Sequence, residues 1–453
     1  MKSEDAAREC IVFLSHQVEN VGKHPWVEQY FNELLFSVAP FYKSQNGKGF
    51  RKLFDHRHRL VYDSGGFQFL MGRLKDPDPL RTVHIYKTMG YTKNDLLLQL
   101  DLPPSYHQAV SERRELIRRS AEFFHTMTQE VPVIPVVHGW TLEELQESLE
   151  LIDDPDRLAL GSYSGGCEYL TERSYTPWNK KAVGVGSYHA TTKDDTSLVG
   201  LGAYSGACRD YEGPKHNHEL DYQYLKKVGV GCYAAETHEP PRVGNQHKST
   251  RKADMEKKKF TPVRVIFERL ATALNLLRDR EVFVLGAANL NMMHIAFLGG
   301  ARYTDGSSWR IAARFWSIYL PEMTTISLGN RCNGGTRRFG TAEEKAFREL
   351  HSDPDYIFHD IPFRKLLAGL RAHKKDGFTL RALHNAWVVK KEEEIANEFT
   401  NDPERYYNYL TKRWEDTPYW RKRLRIFYSY VRESYVQCNL EVFLKSAVRE
   451  VEG

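Results

Sequence analysis

Short apolar runs alternate with longer amphipathic segments between about residues 55 and 305. This alternation is typical of successive β–α units around a parallel sheet. The strand-like runs are 59–62, 95–100, 133–137, 157–160, 281–285 and 301–304. Helices are predicted at about 111–129, 141–152, 262–279 and 289–298. The first fifty residues add only a helix and a candidate first strand.

Polar residues directly follow several of these predicted strands. Asp63 follows the first run, Asp101 the second, His138 the third and Asp305 the last. Side chains at the carboxyl ends of parallel strands converge at one mouth of a barrel, where such enzymes hold their active sites. The pattern predicts an α/β protein with a (β/α)8 barrel. Each aspartate taken singly is equally well explained as the start of a turn or a helix cap.

The alternation is lost between about residues 163 and 261, in a stretch rich in Gly, Tyr, His and Lys. Similar phrases recur there at irregular spacing, which argues against a solenoid and favours a long insertion over the barrel mouth. Its charged segment 248–259 is either a phosphate-contacting loop or a solvated helix face. We therefore expect a barrel over 1–330 with this insertion, followed by a mainly helical region over 331–453.

The C-terminal region interleaves cations with aromatic residues between 419 and 432. On a helix this pattern suits a surface that contacts phosphate groups and packs onto the barrel. The candidate nucleic-acid contacts are Arg421, Lys422, Arg423 and Arg425. A plain amphipathic helix explains the same pattern equally well.

Composition narrows the class of protein but leaves its partner open. The chain has 453 residues, of which 41% are hydrophobic, enough for a large core. A formal net charge of +5 permits a local nucleic-acid-binding patch without requiring one. No run approaches the roughly 18 to 20 apolar residues of a membrane span, and the first residues lack a signal-peptide core, so we expect a cytoplasmic protein without a membrane anchor. Six scattered cysteines fit a reducing compartment.

The most specific local motif is Asp63-Ser64-Gly65-Gly66-Phe67-Gln68, directly after a predicted strand. Two glycines let the backbone approach a flat ligand closely, and a carboxyl group beside it can accept or give a proton. The motif resembles the D-S-G-G-F-Q motif of the tRNA-guanine transglycosylase family. This resemblance implies that Asp63 is a general acid/base and that the five residues after it surround the base.

Two further segments resemble the same family, in the same order along the chain. Segment 95–104 is similar to the strand that ends in the purine-reading aspartate, which implies that role for Asp101. A carboxylate can accept both the N1–H and the N2–H2 donors of guanine. Segment 283–305 is similar to the one that ends in the nucleophilic aspartate, which implies that Asp305 is the nucleophile. The resemblance covers about residues 55–310.

A retaining exchange at a sugar carbon requires two carboxylates, one acting as the nucleophile and the other as the general acid/base. The resemblance implies that Asp305 attacks C1′ of the target nucleoside and that guanine leaves. The incoming 7-deazaguanine then loses its N9 proton to Asp63 and attacks C1′ from the face that guanine left. The implied activity is a ping-pong pentosyl transfer that uses no redox or nucleotide cofactor.

Two positions near the base depart from the family pattern. His138-Gly139 stands where the family has a glutamine followed by glycines, so His138 is either a base contact or a structural histidine. Gly161-Ser162 matches only loosely the family's backbone contact to the 7-substituent, and Gly202 competes for the same role.

The family's zinc site is a third departure. Members that act on tRNA carry a C-x-C-x-x-C motif and a histidine after the nucleophile, and this chain lacks the motif. We expect no metal; the alternative is a zinc site formed by Cys332, His351 and His359.

Without that zinc site, and with a long insertion and a helical tail, the chain most resembles the DNA 7-deazaguanine transglycosylases of bacterial and phage restriction-modification systems. These enzymes insert 7-cyano-7-deazaguanine (preQ0) into DNA. The resemblance implies three partners: DNA with its target nucleotide flipped out of the duplex, a preQ0-type base and an ATPase-like protein.

Three alternatives stay open. They are a zinc-less tRNA-guanine transglycosylase of the queuosine or archaeosine type, a non-catalytic nucleic-acid-binding subunit, and an unrelated barrel glycoside hydrolase. The presence of all three aspartates, Asp63, Asp101 and Asp305, argues against the non-catalytic subunit, because such a protein has no need for three carboxylates at one barrel mouth. The motif at 64–68 argues against the hydrolase, because a sugar pocket does not require it.

Overall fold

The computed structural model describes most of the chain outside the predicted insertion. The described residues are 9–17, 21, 26–42, 47–70, 74–106, 108–161, 263–323, 325–329, 337–372 and 375–431. They divide into two compact units. The first contains the residues up to 161, Arg264–Ser307 and the residues from Val389 onward, and the second is Ser308–Val388. Over these ranges, no helix combines the length and apolar character needed to cross a membrane. The predicted insertion at 163–261 lies outside the described residues.

Nine parallel strands form one sheet in the first unit. They are β1 Ile11–His16, β2 Glu33–Ser37, β3 Arg59–Asp63, β4 Leu96–Leu98, β5 Val133–Ile134, β6 Val136–Val137, β7 Arg157–Leu160, β8 Glu281–Val284 and β9 Tyr303–Gly306. Their order is β5-β4-β3-β2-β1-β9-β8-β7-β6. β5 and β6, at the two ends of this order, are separated in the chain only by Pro135, which has no N–H to donate to a ladder. The sheet is therefore a nearly closed, barrel-like ring, consistent with the predicted barrel.

The interior of the ring is apolar. Its core cluster consists of Ile11, Phe13, Leu35, Val61, Leu96, Leu98, Ile134, Val136, Ala159, Phe283 and Tyr303. Side chains alternate along a strand, so residues two positions apart share a face. On this rule, Ser15 follows Phe13, Asp63 follows Val61 and Asp305 follows Tyr303 on the inward face. The carboxyl end of the ring therefore carries polar groups directly above an apolar core.

Helices connect the strands, and the four predicted ones are confirmed within a few residues. The helices of this unit before residue 300 are Trp26–Tyr30, Gly66–Leu70, Pro79–Met89, Val110–Thr128, Leu142–Glu150, Val263–Leu276 and Leu290–Leu298. Side-chain caps fix where several of them begin. The Thr141 side chain accepts from the backbone N–H of Glu144, and the Asn289 side chain accepts from the N–H of Asn291.

The end of helix Lys375–Asn397 pairs with the first residues of β1, which precede the register of β1 with β2 at Leu14. Asn397 accepts from the Cys10 N–H at 2.6 Å and donates to the Cys10 carbonyl at 3.0 Å. Glu393 accepts from the Val12 N–H, and Lys390 donates to the Val12 carbonyl at 3.3 Å. These side chains replace a neighbouring strand, so the C-terminal residues are part of the barrel unit. This division differs from the predicted boundary at residue 331.

The second unit is mainly helical. Its helices are Ser308–Arg314, Thr341–His351, Phe363–Leu370 and the first part of Lys375–Asn397. A small sheet joins the strands Ser317–Ile318, Ile326–Ser327 and Arg337–Arg338. The buried Asn385 stabilises this unit, because it donates to the carbonyls of Trp309 and Ser317 and accepts from the Tyr319 N–H.

Candidate active site

Three aspartates lie at the carboxyl end of the ring. Asp63 ends β3, Asp305 is in β9, and Asp101 comes three residues after β4. Asp101 and Asp305 are buried, and Asp63 is half-buried. The charges of Asp101 and Asp305 both act on the pKa of Asp63, so the three groups form one electrostatic cluster.

Asp63 is poised to exchange a proton near neutral pH. Burial, then the negative charge of Asp101, raise the pKa of Asp63 to about 7, and the charge of Asp305 adds to this effect. Hydrogen bonds from the Ser37 hydroxyl and the Gly65 N–H lower the pKa and prevent a larger rise. A group with a pKa near the working pH can both give and accept a proton, as a general acid/base must.

Two donors hold Asp305. Its Oδ2 accepts from the Ser15 hydroxyl at 2.8 Å, and its Oδ1 accepts from the Gly286 N–H at 2.7 Å. Burial raises the pKa of Asp305, while both hydrogen bonds lower it by favouring the ionised form. The backbone is also fixed, since the Asp305 carbonyl accepts from the Ala288 N–H at 2.7 Å. The carboxylate is thereby oriented before any ligand binds.

Asp101 is paired with His138. The Nε2 of His138 lies 2.9 Å from the Asp101 Oδ2, and His138 is fully buried. The other oxygen, Oδ1, lies 3.5 Å from the Ser64 hydroxyl. Two glycines make room for this pair: a Cβ at Gly66 would lie 2.0 Å from the Asp101 Oδ1, and a Cβ at Gly161 would lie 2.3 Å from the His138 Cε1. The chain therefore packs backbone directly against both side chains.

The other residues expected around the base are placed as follows. Residues 63–68 form the turn from β3 into the short helix Gly66–Leu70, which includes Phe67 and the half-buried Gln68. Gly139 is buried and comes two residues after β6. Ser162 lies outside the described residues.

Ser15, Ser37 and Gly286 belong to the site, although the sequence analysis did not single them out. Ser15 and Ser37 lie at the ends of β1 and β2, so the strand-end rule that found the aspartates would have found them had these two strands been located. Gly286 acts through its backbone N–H, for which no residue type is diagnostic.

Arg269 and Trp140 connect the chain segments that lie next to His138. The guanidinium of Arg269 lies 3.9 Å from the ring centroid of Trp140 and donates to the Gly161 carbonyl at 3.3 Å. The indole N–H of Trp140 donates to the Pro104 carbonyl at 2.9 Å. These contacts join the segments that follow β4, β6 and β7 at the carboxyl end of the ring.

The basic residues of the C-terminal helix differ in exposure. Residues 418–431 are helical, and Lys422 and Arg425 are exposed on this helix. Arg421 is half-buried. Arg423 is buried, and its guanidinium lies 3.3 Å from the ring centroid of Tyr419. Arg423 is therefore a packing residue here, which corrects the surface position predicted for it.

The residues of the alternative zinc site make other contacts. Cys332 lies outside the described residues. The Nε2 of His351 lies 2.7 Å from the Ile361 carbonyl, and the Nδ1 of His359 lies 2.9 Å from the Tyr356 carbonyl. Among the residues with a described position, no group of three or more His, Cys, Asp or Glu side chains could hold a metal ion.

No family model matches the chain, and no curated protein matches it. A function for the site is therefore argued from its motifs and its geometry.

Proposed function

We propose that this protein is a base-exchange transglycosylase that replaces guanine in DNA with preQ0 through a covalent aspartyl-glycosyl intermediate. The observation that carries the proposal is the carboxylate pair Asp63 and Asp305 at one end of the ring. Asp63 has a pKa of about 7, and Asp305 is oriented by two donors. A double displacement needs such a pair: a fixed nucleophile, and an acid/base that changes its protonation state between the two steps.

In the first step Asp305 attacks C1′ of the target nucleotide as the C1′–N9 bond to guanine breaks. The protonated form of Asp63 gives its proton to the departing guanine. Ser15 and Gly286 keep the Asp305 carboxylate in place during the attack. The step ends with a bond between C1′ and an Asp305 oxygen, and with Asp63 ionised.

In the second step the ionised Asp63 takes the N9 proton of the incoming base. N9 then attacks C1′, and the bond from C1′ to Asp305 breaks. Both carboxyl groups return to their starting states, and two inversions at C1′ give net retention. In this proposal Asp101 accepts the N1–H and N2–H2 donors of the purine in both steps.

The choice of DNA is supported by two features of the chain. The C-x-C-x-x-C motif of tRNA-acting relatives is missing from the sequence. Lys422 and Arg425 are exposed on the C-terminal helix, whereas Arg423 is buried. Their charged groups can therefore contact phosphate groups.

The test measures the entry of radiolabelled guanine or preQ0 into duplex DNA and, separately, into bulk tRNA. We expect wild-type protein to label DNA and Asp305→Ala to label neither polymer. The matched control is Asp360→Asn, because this carboxylate is exposed and lies outside the site; it should behave as wild type. Label in tRNA alone would contradict the proposal and favour the alternative, a zinc-less tRNA-guanine transglycosylase. No label in either polymer, even with an extract of the native host added to supply partners, would refute a transglycosylase.

A further inference from the structure

His138 is a buried titratable residue that the proposed reaction does not use directly. Its side chain is fully buried, and its Nε2 is 2.9 Å from the Asp101 Oδ2. A carboxylate oxygen accepts hydrogen bonds, so Nε2 donates to Asp101 in the tautomer that carries its proton on this nitrogen. His138 therefore contacts the residue proposed to read the base.

We propose that His138 is a positioning residue that determines base specificity by holding Asp101 as an oriented acceptor. This inference rests on the proposed function, because it assigns Asp101 to the purine edge. The donor on Oδ2 fixes the carboxylate plane and leaves Oδ1 directed at the loop that contains Ser64 and Gly66.

The packing around the pair makes this orientation rigid. A Cβ at Gly161 would overlap the imidazole, and a Cβ at Gly66 would overlap Oδ1, so backbone lies against both side chains. Each side chain therefore has backbone packed against one of its sides, which restricts its rotation. A fixed carboxylate cannot turn to meet a base that presents its donors differently.

The orientation of Asp101 decides which base fits, because a held carboxylate accepts only from donors that lie along its own direction. The site therefore selects purines that present two donors at N1 and N2. A site built for such donors rejects an analogue that lacks one, because its own polar group is left unpaired.

The experiment measures the dissociation constants of 7-deazaguanine and of its analogue without the 2-amino group, 7-deazahypoxanthine, by calorimetry on the full-length protein. The variants are His138→Leu, which has no donor; His138→Gln, whose amide can still donate; and Gly161→Ala, which displaces the ring without changing its chemistry. Thermal melts identify any variant that does not fold.

We expect the wild type to prefer 7-deazaguanine. His138→Leu should lose about ten-fold or more of its affinity for this base, the size expected for a hydrogen bond to a charged group, with a smaller loss for the analogue. The selectivity ratio should therefore fall in His138→Leu and in Gly161→Ala, and recover in His138→Gln. A purely structural role would not move this ratio.

An unchanged ratio in His138→Leu, or in Gly161→Ala if His138→Leu does not fold, would overturn the inference and leave the proposed function standing. Failure of the wild type to bind either base would overturn both. The two failures are thus distinguished by the wild-type measurement.

Discussion

The acid/base role proposed for Asp63 requires a raised pKa, and this raised pKa lowers the stability of the folded protein near neutral pH. A half-buried carboxyl group beside two other carboxylates resists ionisation, and this resistance gives Asp63 a pKa of about 7. In the unfolded chain the same group has an ordinary pKa of about 3.9. Between these two values the unfolded chain releases a proton that the folded protein retains. The stability linked to Asp63 is therefore fully present below about pH 4 and is lost as the pH rises to 7.

The substitution Asp63→Asn should therefore stabilise the protein strongly at pH 8 and clearly less at pH 5. Asparagine keeps the shape of the side chain but never ionises, so the penalty for holding a proton disappears. We expect a gain of a few degrees in melting temperature at pH 8, since about 1 kcal/mol shifts the melting temperature of a large domain by roughly 2–4 °C. Thermal melts of the variant, the wild type and the exposed control Asp360→Asn test this. Equal gains at both pH values would show that ionisation is not the cause.

The charge of Asp101 should be visible in the pH dependence of the first chemical step. Transfer of a proton from Asp63 to guanine requires its protonated form, so formation of a denaturant-stable protein–DNA complex should decline as the pH rises through about 7. Asp101→Asn removes a charge that raises the pKa of Asp63, so the decline should begin at a lower pH. The measurement is the normalised yield of the complex against pH, and an unmoved midpoint would contradict the electrostatic coupling.

The residues of the site could be predicted from the sequence only where local signals were strong. Asp63 and Asp101 follow apolar runs and lie in recognisable motifs, so their convergence followed from the strand-end rule. The pairing of His138 with Asp101 could not be predicted, because it depends on close packing at Gly66 and Gly161, which are distant in sequence from each other.

At the level of elements, a buried ionic cluster joins the helix after β8 to the C-terminal helices. Glu392 accepts two hydrogen bonds from the guanidinium of Arg413, at 2.5 and 2.7 Å, and lies 2.9 Å from the Nε2 of His294. The Nδ1 of His294 lies 2.6 Å from the Tyr406 hydroxyl. The helix that carries His294 lies in the chain between Gly286 and Asp305, so the cluster supports the segment that holds the proposed nucleophile.

Glu392→Gln should destabilise the protein strongly, because it leaves the buried Arg413 charge without its carboxylate. Removal of one partner of a buried ion pair typically costs about 3–5 kcal/mol. Arg413 and the His294 contact lower the pKa of Glu392, so its stabilising contribution is present above about pH 4 and is lost as the pH falls further. Urea unfolding at pH 7 measures the loss, with the exposed Glu394→Gln as the matched control. Equal midpoints for the two variants would contradict this role.

At the scale of the whole molecule, the barrel could be predicted and the division of the chain could not. Strand and helix signals are local, and the sequence shows them in order. Assignment of the last helices to the barrel unit instead depends on contacts such as Asn397 with Cys10, which join residues almost four hundred positions apart. No local pattern of hydrophobic residues encodes such a contact.

The position of the C-terminal helix relative to the site follows from its packing. Arg423 lies over the ring of Phe267, near the start of helix Val263–Leu276, and the Val431 carbonyl accepts from Asn275, near its end. This helix leads into β8, so it runs from the carboxyl end of the ring to the amino end. The segment of helix 418–431 around Lys422 and Arg423 therefore packs near the start of helix Val263–Leu276, which the hydroxyl of Tyr430 also reaches through Arg264.

The double substitution Lys422→Gln and Arg425→Gln should weaken DNA binding and reduce its dependence on salt. Each lost phosphate contact lowers the slope of log affinity against log salt by about 0.9 on duplex DNA, so two contacts give a decrease of about 1.8. Affinity for free 7-deazaguanine should not change, since neither side chain belongs to the base site. The charge-matched control replaces Lys52 and Lys93, which are also exposed; Lys93 precedes β4 at the amino end of the ring. Equal slopes for the two double variants would place the DNA-binding surface elsewhere, because both remove the same net charge and only position distinguishes them.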